Sequence, residues 1–200
     1  MARADLTSAQ NAADGNGEAD HLPGGRIPPI PLLSTKDRWV RLDEHPGWIV
    51  IYCYPMTGRP DEPPPPGWDD IPRARGCTAE TCGFRDLFHQ LRDLGAEVFG
   101  LSTQTTDYQR EMVGRLGVPF EVLSDANLRL TEALQLPTFW LEGQIYLRRL
   151  TMLLADGRIE HVFYPIDHPA EHAEEVLAWL QETQQPRAAE AMPPKPPGQR

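Results

Sequence analysis

Basic charge is the first thing this sequence is short of. Lys and Arg number 19 against 29 Asp and Glu, a formal net charge of −10. Nucleic-acid and anionic-membrane surfaces need clustered cations, so the balance argues against both as partners. Long apolar runs are also missing. None approaches the roughly 18 residues that cross a bilayer, and the longest, around Trp48 to Tyr54, is strand-sized. The first twenty residues carry Arg3 as their only basic residue and no apolar stretch. No secretory signal is expected from them, and a cytoplasmic location follows as the default. Cysteine is scarce, 3 in 200 residues. In a reducing compartment so few thiols do not make a structural disulfide framework. Reactive, transient or merely buried thiols remain. The chain has no internal repeat, P-loop, dinucleotide fingerprint or Ser-His-Asp arrangement, and no cofactor or metal is expected.

What is present reads as one domain between two tails. Residues 1–26 are rich in Ala, Asp, Gly and Asn and are expected to be a disordered tail. Residues 184–200 are Pro-rich and aperiodic and are expected to be another. Between them, over residues 27–183, strands and helices alternate. Trp39 to Leu42 reads as a short strand, and Trp48 to Pro55 (WIVIYCYP) as a strand buried on both faces. A Pro-rich insertion follows over 56–75. Phe84, Leu87, Phe88, Leu91 and Leu94 then recur at helical spacing, with Gly95 at the stop. Strands at Glu97–Leu101 and Phe120–Leu123 alternate with helices at Asp107–Leu116 and Asn127–Leu134. Two more strands flank Asp156-Gly157, a hairpin signal, and a helix from near Pro169 closes the domain by burying Ala173, Val176, Leu177 and Leu180. Such alternation predicts an α/β domain, a central mixed β-sheet flanked by helices, ending as thioredoxin-like domains do. In open sheets of this kind chemistry lies past the carboxyl ends of strands, which directs attention to the loop after Pro55 and to Cys77.

Residues 76–86 read GCTAETCGFRD. Cys77 falls in the first helical turn, where unpaired N–H groups and the helix dipole favour an anion, so a lowered thiol pKa is expected. Ionisation alone gains little. A free thiol is a few per cent ionised at pH 7, so complete ionisation is worth about thirtyfold in rate. Rapid attack on a peroxide also needs donors that hold its oxygens as the O–O bond breaks. Cys82 stands five residues on. On an unbroken helix that spacing puts the Cα atoms about 8.7 Å apart, beyond the reach of a disulfide. A bond between the two would therefore require the first turns to unwind, and Gly83 is expected to ease this.

This segment resembles the active site of the peroxiredoxins, in particular the Q-type or bacterioferritin-comigratory branch. The resemblance rests on Gly76-Cys77-Thr78, Glu80, Cys82 and Phe84-Arg85-Asp86. It is extended, in order, by Tyr54-Pro55, Gly100-Leu101-Ser102-Thr103, Leu123-Ser124-Asp125, and Arg149-Leu150-Thr151 leading to Asp156-Gly157. It implies a thioredoxin-like fold and reduction of hydrogen peroxide or organic hydroperoxides. Cys77 would be the peroxidatic thiol and Cys82 the resolving thiol, with thioredoxin or a similar dithiol as reductant. The family arginine falls on Arg149, or on Arg148 if the register slips by one. An intramolecular pair needs no second subunit, so a monomer or weak homodimer is expected. One departure stands out. The family has Pro, three residues, Thr, two residues, then Cys. Here Pro55 lies 22 positions before Cys77, and Ala74 holds the threonine position. Thr57 is the replacement hydroxyl expected, with the Pro run folding outward as a stiff flap.

Other readings stand beside these. A thiol–disulfide oxidoreductase is one, although that chemistry usually uses Cys-x-x-Cys. A non-catalytic redox-sensing module, its pocket blocked by the insertion, is another. Cys53 is expected to be an inert core thiol. Glu80 either pairs with an arginine or favours the helix N-terminus. His168 and His172, four apart, lack a third ligand and are expected to be exposed rather than metal-binding.

Overall fold

The computed structural model describes residues 17–184. Residues 1–16 of the expected N-terminal tail and 185–200 of the C-terminal one lie outside this range, while Gln184 ends the closing helix. Strands β1 (Pro31–Ser34), β2 (Trp39–Arg41), β3 (Trp48–Cys53), β4 (Ala96–Ser102), β5 (Glu121–Ser124), β8 (Leu150–Ala155) and β9 (Arg158–Phe163) form a seven-stranded sheet in the order β2-β1-β5-β4-β3-β8-β9. β3, β4 and β5 run parallel; β8 pairs antiparallel with β3 and β9 with β8, as β1 does with β5 and β2 with β1. The sheet is therefore mixed. Helices α1 (Cys77–Asp86), α2 (Phe88–Asp93), α3 (Thr106–Leu116), α4 (Arg129–Leu134) and α5 (His172–Gln184) complete the domain.

The central strand carries the two-layered core. Successive side chains of a strand point to opposite faces. Ile49, Ile51 and Cys53 of β3 enter one cluster with Leu32, Leu101, Leu123, Leu130 and Met152. Val50, Tyr52 and Tyr54 enter another with Cys77, Phe84, Leu91, Met112, Val176 and Leu180. Burial on both faces explains why β3 lacks polar alternation. The second cluster fixes α1, because Phe84 is fully buried with its ring stacked on Tyr52 at 4.6 Å.

Several features differ from expectation, and strand β1 (Pro31–Ser34), ahead of the first strand expected, is one of them. Residues 17–26 are not part of a free tail. Ala19 and Leu22 are buried in the core, and Gly24 N–H donates to the Ile159 carbonyl at 2.7 Å while Ile159 N–H donates to Gly25 at 2.9 Å. This segment covers the open edge of β9, which would otherwise present unpaired backbone groups. The helix expected from Cys77 to Leu94 divides at Leu87, whose ψ of 3° departs from helical values. A second hairpin, β6 (Thr138–Leu141) and β7 (Gln144–Leu147), was not expected. Its turn places Glu142 at φ 48° and Gly143 at φ 81°, a type I′ geometry usually signalled by Asn or Asp before glycine. The expected hairpin forms as read, with Asp156 at φ 48° and Gly157 at φ 75° between β8 and β9.

The hairpin matters because the Pro-rich insertion folds onto it. Pro63, Pro64 and Pro66 are exposed, but Pro64 lines the cavity that reaches Cys77 instead of pointing away from the domain. The insertion then returns. Trp68, Ile71 and Ala74 are buried against Phe139 and Tyr146 in a third cluster, so the segment is an anchored wall rather than a flap.

Truncating Phe84→Ala removes a fully buried aromatic side chain from the layer that holds α1. It is expected to cost about 3–5 kcal/mol, read as a lowered midpoint of urea unfolding.

Candidate active site

The entry to α1 is decided by Gly76. Its φ of 104° lies in the left-handed region, and a Cβ there would stand 2.3 Å from Pro169 Cγ. Only glycine meets both demands. The turn makes Cys77 the first helical residue, as the sequence predicts, with no side chain capping the helix end. β3 ends at Cys53 and β8 begins at Leu150, paired with it, so Tyr54-Pro55 and Arg149 flank that end of the sheet.

Arg149 reaches Cys77 there. It is buried, and its guanidinium lies 3.2 Å from Cys77 Sγ. It also donates to the Arg75 carbonyl at 3.1 Å and to the Glu80 carboxylate. Glu80 is wholly buried one turn along α1, so of its two readings the pairing with arginine is the one formed. The Cys77 thiol donates to the Ala74 carbonyl at 3.5 Å, and the Met56 backbone N–H near the sulfur favours its ionised form. The register is thus Arg149. Arg148 turns elsewhere: its Nε is 3.6 Å from Glu18 and its guanidinium 5.9 Å from the Phe139 ring.

Burial reverses one expectation. It pushes the Cys77 thiol up from its ordinary value, against the positive charge of Arg149, while Glu80 adds to the rise and the Met56 N–H and Arg149 donors oppose it. Helix position alone predicts a lowered value. In the closed site desolvation of the thiolate outweighs it, and Glu80 takes part of the arginine's charge. Burial also pushes the Glu80 carboxyl up to about 7, with Arg149 opposing.

Cys82 lies on the same continuous helix and is partly exposed; Cys53, Cys77 and Cys82 are all free thiols. Gly83 sits where α1 meets α5: a Cβ there would come within 3.3 Å of Ala173 Cβ. Close helix packing, which holds α1 wound, is therefore one reason for this glycine. Cys53 is fully buried, and burial drives its thiol far up.

Thr57 does not make the hydrogen bond to the sulfur that its expected role calls for. It is buried, its N–H donates to Gln104 Oε1 at 3.3 Å, and its hydroxyl has no hydrogen-bond partner. The neighbouring Met56 amide meets the sulfur instead. A backbone amide has no residue-type signature, so sequence reasoning could not name it. Pro55 is buried and lies with Arg149 and Arg148 around a small crevice. His168 is exposed but His172 is not; its ring bonds Thr151 Oγ1 at 2.8 Å and Glu175 at 3.1 Å. His172 is thus a satisfied core histidine, its pKa lowered mainly by burial. Among the described residues no three His, Cys, Asp or Glu side chains group as metal ligands.

The Redoxin family model matches residues 47–177. Peroxiredoxin Bcp of Escherichia coli is 30% identical over 170 residues, covering 80% of this chain and 97% of the relative. Chloroplastic peroxiredoxin Q of Sedum lineare is 29% identical over 159 residues, 79% of this chain and 77% of the relative. The solved structure of Xanthomonas campestris peroxiredoxin Q superposes with a TM-score of 0.63 at 26% identity, covering 80% of this chain and 94% of the other. The mixed sheet with its flanking helices is accordingly the thioredoxin-like fold expected. With a buried cysteine at a helix start, an arginine on its sulfur and relatives of this kind over most of its length, the chain belongs to the Redoxin family, among the peroxiredoxins of the Q/Bcp type, the thiol peroxidases.

Proposed function

We propose that Cys77 is the peroxidatic thiol of this peroxidase, that Cys82 is its resolving thiol, and that a thioredoxin-like dithiol restores both. The observation that carries the reading is the buried Arg149 guanidinium 3.2 Å from Cys77 Sγ on the first residue of α1. Burial opposes ionisation of the resting thiol, while Arg149 favours it. The site's advantage lies in donors aimed at the charge that develops.

The ionised sulfur of Cys77 attacks the distal oxygen of ROOH. The S–O bond forms as the O–O bond breaks, and the leaving alkoxide takes a proton to become ROH. Arg149 and the Met56 N–H sit at the sulfur, where they stabilise charge passing onto the oxygens. Cys77 is left as a sulfenic acid. Cys82 then attacks that sulfur, the disulfide forms and water leaves. For this α1 must open, since helical spacing holds the Cα atoms about 8.7 Å apart. A dithiol reduces the disulfide by exchange. Resolution within one chain suits a monomer or weak homodimer, and a disulfide that must be reduced every cycle suits the cytoplasm.

Replacing Cys77→Ser is expected to abolish peroxide consumption coupled to thioredoxin oxidation. Cys82→Ser should consume one peroxide per chain and then stop, with mass spectrometry finding Cys77 oxidised. Unimpaired cycling in either variant would sink the assignment. Removing the cation in Arg149→Met should move the inflection of Cys77 alkylation to higher pH, because the positive charge favours the thiolate. The same change should slow peroxide reduction by about 10²–10³. Thr57→Val is expected to leave the rate within about twofold, since the hydroxyl makes no bond to the sulfur; a tenfold loss would restore the threonine role.

A further inference from the structure

The cavity over Cys77 is far larger than the oxygens it must hold. It measures about 530 Å³. Hydrogen peroxide, with two heavy atoms, fills roughly twice a water's 30 Å³, so close to nine-tenths of the space is left over. Most of the lining comes from the insertion that sets this chain apart from the family spacing. Met56, Pro60, Pro64, Trp68 and Ala74 form the apolar part of the wall. The wall is fixed. Trp68 packs edge-on against Tyr146 at 5.2 Å and Phe139 at 5.8 Å. Arg115 donates to the Gly58 carbonyl at 3.1 Å. Arg59 lies 4.4 Å over the Tyr108 ring and pairs with Glu62 at 3.0 Å.

The arginines at the rim do not make an anion site. Arg59 is paired with Glu62, Arg75 with Asp69 and Arg115 with Glu111. Their charges are offset where they stand, so the uncovered recognition surface is the apolar one. A ligand pocket of this size, apolar with a few convergent polar groups, fits a body of drug-like rather than diatomic dimensions.

We infer that the Pro-rich insertion is a specificity wall, and that Pro60, Pro64 and Trp68 select hydroperoxides bearing a bulky, uncharged apolar body, holding that body while Cys77 takes the distal oxygen. The inference rests on the peroxidase reading above and adds the part of the chain that chooses among peroxides. Binding energy from the non-reacting body then serves to orient the O–O bond at the sulfur.

The test compares kcat/KM for cumene hydroperoxide with that for hydrogen peroxide, using the full chain and a thioredoxin-coupled assay. The wild-type ratio is expected to exceed tenfold in favour of cumene hydroperoxide. Pro64→Asp puts a carboxylate on the wall and should lower the ratio at least tenfold, whereas Pro64→Leu keeps the wall apolar and should hold it within threefold. Pro60→Asp is read in the same way and stands in if the first variant does not fold. A wild-type ratio of one or less, or ratios in both aspartate variants within twofold of wild type, overturns the inference while leaving the peroxidase intact. Absence of turnover with either peroxide in the wild type would remove both.

Discussion

Arg149 is a buried positive charge beside Cys77, and the arrangement around the sulfur depends on how that charge is satisfied. Its side chain is 1% exposed and that of Glu80 is not exposed at all. Removing a guanidinium and a carboxylate from water costs several kcal/mol per ion. Their mutual contact and the Arg75 carbonyl offset the cost, and the nitrogen that bonds this carbonyl also faces the sulfur. Glu80 therefore has two opposed effects. It holds the arginine in place, and it withdraws part of the field that would ionise Cys77. The outcome is a thiol whose pKa burial has raised, in a pocket whose donors are already oriented. Such a site favours the charge distribution of a breaking O–O bond over that of the resting enzyme.

With Cys82 resolving Cys77, as proposed, the same helix has to be both firm and breakable. α1 presents Cys77 only while wound, and Phe84 stacked on Tyr52, with Gly83 against Ala173, keeps it wound. Yet Cys82 is out of disulfide range on that helix. On the proposed reading, reactivity and resolution belong to two conformations of one segment, separated by the free energy of local unfolding.

Much of this was legible in the residues themselves. Strand β3 announced itself by β-branched and aromatic residues on both faces, the β8–β9 hairpin by Asp156-Gly157, and the cysteine helix by GCTAETCGFRD. The β6–β7 hairpin was not legible, because Glu142 takes a positive φ normally signalled by another residue type. The segment 17–26 was read as tail because its apolar content is little more than Ala19 and Leu22. Those residues matter through the edge they cover, and an edge is a property of the assembled sheet. The Met56 amide was invisible for a simpler reason: every residue but proline has one, and only folding aims it.

By itself the sequence determined the covalent chemistry: which thiols exist, that one starts a helix, and that a second sits five positions along it. Local physics suffices for this, since helix periodicity and backbone restrictions act over a few residues. Tertiary structure alone decided that Arg149 rather than Arg148 meets the sulfur, that the Thr57 hydroxyl makes no bond to it, that burial raises the thiol's pKa, and that the insertion folds into a wall. Each of these depends on groups tens of residues apart meeting in a region of low dielectric, where distance and exclusion of water, rather than residue type, set the energy.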